Sequence, residues 1–240
     1  MWRLQLPLLR LWVGLALAVG LTWLALLARP WVAQAWASAM VWWLQALELP
    51  GQFEVQGRGG DSLLSLAVPY IDVQLADPGS WMSLWHGLIA LAVWWAAGRM
   101  SDAAKPVAYL LRFAVLVHGA AVLFFICWPA SFPHSVALHI SSGLRQAWHL
   151  MLLAPWIHLA TYYLFPFAVW QRVLLTLLTW GFLFVLTPLQ YALHVALVHQ
   201  MGMLILPLLH LLFGVMLAII GFVALYGWAM SWKSAGVAHA

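Results

Sequence analysis

Apolar runs of about 20 residues recur along this chain, and a run of that length crosses a bilayer as a helix because all its backbone polar groups are then bonded within the segment. Six such runs cover roughly 11–28, 81–97, 107–128, 144–165, 173–195 and 204–228. Only 7% of the residues are charged against 66% hydrophobic, and mean hydropathy is +0.95. So little polar surface cannot clothe a soluble globule of 240 residues. The expected fold class is an all-α polytopic membrane protein of about six transmembrane helices, forming one integral membrane domain over 1–240. Eighteen tryptophans support this, since indole prefers the membrane interface, and Trp2, Trp81, Trp128, Trp170 and Trp232 fall at span ends.

Three stretches lie outside the runs. The first run follows Arg3 and Arg10 and is read as an anchor, because no small-x-small cleavage site follows it. Residues 30–50 interleave Trp, Met and Leu with Gln and Ser, a pattern that predicts a helix lying in the interface. Residues 48–80 hold five of the six acidic residues and read as an extracytoplasmic loop. Alternation at Phe53–Gln56 and Tyr70–Leu75, with a turn at Gly57–Asp61, predicts a small β-hairpin there. The tail Ser231–Ala240 is polar and reads as loose.

Lysine and arginine counts set the expected orientation. With the N-terminus inside, the inner segments hold Arg3, Arg10, Arg99, Lys105, Arg112, Arg172 and Lys233, and the outer ones Arg29, Arg58 and Arg145. Seven against three places both termini in the cytoplasm. The absence of a basic cluster argues against nucleic acid as a partner and leaves the lipid bilayer and other membrane proteins.

The chain has no carboxylate beyond Asp102, so its last 138 residues cannot supply a carboxylate pair or a carboxylate metal ligand. Glycosidase-like, aspartyl and two-metal mechanisms are excluded there. Histidine, serine, arginine and the single Cys127 remain. Ten histidines in so apolar a chain read either as interfacial groups bonded to backbone or water, or as a haem or copper site. For the second reading His86, His118, His149 and His158 lie at suitable depth. Cys127, beside Trp128-Pro129, reads as packing or as a nucleophile activated by a nearby histidine. Two of the runs, joined by a tight turn near 165–172, bring Ser141, Ser142 and Arg145 to the same membrane face as Gln190, His194, His199 and His210. Ser141-Ser142 reads on its own as a cap on the helix that follows.

Ile140-Ser141-Ser142-Gly143-Leu144-Arg145, then Tyr191-Ala192-Leu193-His194 and Leu209-His210-Leu211-Leu212-Phe213-Gly214, resemble over about 75 residues the core of the exosortase/archaeosortase family. Members of that family are polytopic membrane enzymes that cleave a C-terminal sorting signal and pass the protein to an acceptor, in envelope and exopolysaccharide systems. The resemblance places Ser141 at the family's cysteine nucleophile, His194 at its arginine, and His210, with Gly214 four residues on, at its histidine. It implies an inner-membrane protein of envelope protein sorting or polysaccharide export, with an altered or lost transpeptidase site at Ser141, His194 and His210 and no cofactor. Its implied partners are a sorting-signal peptide or other membrane subunits. Two further function classes stay open: a non-enzymatic subunit of a larger membrane complex, and a haem- or quinone-linked electron carrier.

Overall fold

The computed structural model describes residues 8–58, 64–73, 80–164 and 167–232. The elements in chain order are α1 (Leu8–Ala46), β1 (Gly51–Arg58), β2 (Val68–Val73), α2 (Ser80–Ala97), α3 (Lys105–Cys127), α4 (Val136–Leu164), α5 (Val169–Met201), α6 (Leu206–His210) and α7 (Met216–Ala229). Arg3, the Gly59–Asp61 part of the expected turn and the tail from Lys233 lie outside the described residues.

Among the described residues four helices are long and apolar enough to cross a membrane, spanning Leu11–Ala46, Asp102–Cys127, Val169–Met201 and Met203–Ala229. Two of the six expected spans, those in α2 and α4, do not meet this measure of length and apolarity. The apolar stretch of α2, Trp81–Ala97, is at the short limit of a crossing. Helix α4 is long enough at 29 residues. Its first half, however, carries His139, Ser141, Ser142, Arg145, Gln146 and His149, which dilute its hydropathy.

The expected interfacial helix at 30–50 is also corrected. Helix α1 runs unbroken through Pro30 for 39 residues, about 58 Å at 1.5 Å per residue, well beyond a hydrocarbon core of about 30 Å. Trp36, Met40 and Leu44 recur every four residues and are each at most 1% exposed. They join one buried cluster with Leu66, Ile71, Ile140, Leu144, Trp148, Val195 and Val198. What reads as an interfacial pattern is the core-facing stripe of a helix that overshoots the membrane.

This cluster puts most of the core at one end of the bundle. It draws on the second half of α1, strand β2, the first half of α4, the second half of α5, and α6. Strands β1 and β2 pair antiparallel, with Gly51 opposite Val73 and Phe53 opposite Ile71, and β2 packs on α4 and α1. Side-chain donors tie the loop before β2 to the helices. Trp148 Nε1 donates to Leu64 O at 2.9 Å and Arg29 Nη1 to Ser65 O at 3.3 Å. Trp36 Nε1 donates to Phe184 O at 3.0 Å, joining α1 to α5. The other end of the bundle exposes large apolar side chains such as Trp12, Trp23, Leu91 and Trp95, as surfaces in lipid do.

Candidate functional site

Helix α4 begins at Val136, eight residues before the apolar run that marks it in the sequence. Its cap is Ser135, whose Oγ accepts the Leu138 N–H at 3.1 Å. Ser141 and Ser142 are therefore inside the helix and not its cap. Each hydroxyl bonds back one turn, Ser141 Oγ to Leu138 O at 3.2 Å and Ser142 Oγ to His139 O at 3.0 Å.

With the helix starting there, His139 becomes a core-facing residue, 7% exposed. Its Nε2 lies 3.1 Å from Nδ1 of His194 on α5, and the two rings stack with centroids 5.3 Å apart. Tyr191, one turn before His194, meets both rings edge-on, at 5.6 Å from His139 and 5.1 Å from His194. Gly143, one turn after His139, admits that tyrosine, because a Cβ at Gly143 would overlap the Tyr191 ring.

His210 arrives by a sharp reversal. Helix α5 ends at Gly202, whose φ of 69° and ψ of −173° suit glycine alone, and the chain turns into α6. At the end of α6 the exposed His210 ring stands edge-on to His139 at 5.5 Å. A π-helical turn, Leu211–Val215, follows, with non-helical backbone at Gly214 (φ −85°, ψ −112°). Three imidazoles thus run from an exposed ring through a buried one to His194, which is 1% exposed. The inner end of this row, His194 Nε2, has no hydrogen-bond partner among the described residues. Beside Tyr191 a cavity of about 20 Å³, room for about one water, is lined by Gln146, Thr187, Gln190 and Gly214 among others.

Of the three residues singled out in the sequence, His194 and His210 are brought together through His139, and Ser141 is not part of that group. Two residues apart on a helix means about 200° around its axis, so Ser141 faces away from His139. Its partner is Arg145, whose Nη2 donates to Ser141 Oγ at 3.2 Å and whose Nε donates to Ser141 O at 3.1 Å. His139 and Tyr191 are the site residues that sequence reasoning missed. The i, i+4 pair His139/Gly143 and the i, i+3 pair Tyr191/His194 were the available signal, and they become visible once α4 is started at Ser135.

The other histidines fall elsewhere. His86 Nδ1 and His118 Nε2 are 2.9 Å apart, joining α2 to α3. The separation is that of a hydrogen bond between one protonated and one bare ring nitrogen. His158 Nδ1 lies 2.9 Å from Thr176 Oγ1, and His149 is exposed. Among the described residues no group of three or more His, Cys, Asp or Glu is arranged to hold a metal ion. Cys127 is exposed at the last position of α3.

A neutral imidazole offers one donor and one acceptor, so the His139–His194 contact orders the tautomers of both rings. The two buried rings can share one proton between Nε2 of His139 and Nδ1 of His194, and His210 joins them by ring contact. The row contains no hydroxyl or thiol nucleophile. No family model matches this chain, and no curated protein or solved structure matches it.

Proposed function

We propose that this chain is an exosortase-like inner-membrane component of an envelope protein-sorting or polysaccharide-export system, binding its partner without a nucleophile at Ser141. One observation supports the missing nucleophile: the Ser141 hydroxyl is engaged by Leu138 O and Arg145 and lies on the far side of α4 from His139. A serine nucleophile needs a base within hydrogen-bond reach, and none of its bonded partners is one. The surfaces suit a subunit, with a packed head at one end and long apolar flanks at the other. The seven-to-three excess of inner over outer arginines and lysines, counted with α2 and α4 also crossing, supports cytoplasmic termini and a head on the outer face.

The test is complementation of a deletion strain, scored by surface attachment of the sorted protein or by exported polysaccharide. Ser141→Ala is expected to complement fully, and the tagged protein to copurify with other membrane proteins of the same system. Loss of complementation by a folded Ser141→Ala protein overturns the binding reading in favour of a serine enzyme.

A second reading rests on the imidazole row alone, with His139, His194 and His210 serving as an acid–base group toward a bound substrate. Loss of function in His210→Ala at unchanged stability and unchanged copurification selects it, because His210 is the exposed ring that a substrate reaches first.

A further inference from the structure

Helices α2 and α3 form a hairpin whose outer side is not covered by the other described residues. Between them lies an open groove of about 660 Å³, lined on one wall by Leu84, Leu88 and Trp94 and on the other by Leu116, Leu123 and Ile126. Its middle is wide because Gly87 and Gly119 both border it, and a Cβ on either would meet nothing within 4 Å. From Ser83 to Trp94 it follows the middle of α2 for about 16 Å at 1.5 Å per residue.

One end of this groove is cationic. Trp94 closes it, and the Arg112 guanidinium lies over the Trp94 ring at 5.3 Å. The Nε of Arg112 is buried and has no hydrogen-bond partner among the described residues. Arg99 sits over Trp95 at 3.1 Å from the ring centroid, on the same turn of the hairpin. The only carboxylate of the hairpin, Asp102, is bonded to Lys105 at 2.7 Å and leaves both arginines unneutralised.

We infer that this groove holds one anionic phospholipid, its acyl chain along the Gly87/Gly119 wall and its phosphate at Arg112. An apolar slot with the Arg112 guanidinium on the tryptophan face that closes one end is complementary to a tail and an anionic headgroup together. A second copy of the chain fits less well, because its carboxylate at this depth, Asp102, is already paired.

The full chain, reconstituted in nanodiscs of equal phosphatidylglycerol and phosphatidylcholine, is released in the mass spectrometer and its retained lipids are counted. The wild type is expected to keep one phosphatidylglycerol in preference to phosphatidylcholine. Arg112→Gln lowers that preference about fivefold, the share of one basic residue at an anionic surface. Gly119→Leu fills empty space and displaces the lipid while the melting temperature stays within a few degrees. Equal retention of the two lipids by the wild type overturns the inference. So does undiminished phosphatidylglycerol on a folded Gly119→Leu protein, or a dimer that Gly119→Leu dissociates.

Discussion

His139 Nε2 on α4 and His194 Nδ1 on α5 stand 3.1 Å apart inside the head of the bundle, although 55 residues separate them in the chain. The contact sets the rotation of α4 against α5, since both rings are at most 7% exposed and bonded in one register. It also gives the exposed His210 a buried neighbour.

Removing one member leaves the other ring nitrogen buried without its partner, at a cost of about 1–3 kcal/mol. His194→Ala and His139→Ala are each expected to lower the denaturation midpoint of the detergent-solubilised protein. The double substitution should cost less than the two single losses added, by about 0.5–3 kcal/mol. Simple additivity would show that the rings do not interact.

Gly143 faces Tyr191 so closely that a methyl group has no room. Gly143→Ala is expected to destabilise the protein by about 1–3 kcal/mol through overpacking. Adding Gly143→Ala to Tyr191→Ala, where the ring is gone, should cost much less than adding it to the wild type. Thermal unfolding of the four proteins checks both statements.

Two serines near the start of α4 should behave oppositely. Ser135→Ala removes the bond to the Leu138 N–H and is expected to cost about 1 kcal/mol. Ser141→Ala removes a half-exposed hydroxyl bonded inside its own helix and should stay within about 0.5 kcal/mol. Equal losses at both sites would argue that the cap is not where the Leu138 contact puts it.

Along the second half of α1, burial separates tryptophans that look alike in the sequence. Trp36 is 1% exposed and bonded to Phe184 O, and Trp36→Ala should cost about 3–5 kcal/mol. Trp42 is 58% exposed, and Trp42→Ala is expected to leave the unfolding midpoint within about 0.5 kcal/mol of wild type. Similar losses at the two positions would restore an interfacial placement of this segment.

Hydropathy by itself determined that this chain is helical and lives in a membrane. Burial of apolar side chains and internal bonding of the backbone are set by composition and run length, which are local quantities. The exclusion of carboxylate chemistry after Asp102 was also legible, since it needs only a count. The start of α4 was not, because a polar turn and a polar first half of a helix have the same composition, and only the Ser135 cap tells them apart. For the same reason Trp36, Met40 and Leu44 read as interfacial until strand β2 and helices α4 and α5 were seen packed with them. Which polar residues meet was decided by the tertiary structure alone. Ser141 and His139 are two positions apart in sequence yet face opposite sides of α4, while His139, His194 and His210 are distant in sequence and meet in one row of rings. Helix rotation and the reversal at Gly202 make that choice, and both follow from how whole helices pack against one another and not from any local run of residues.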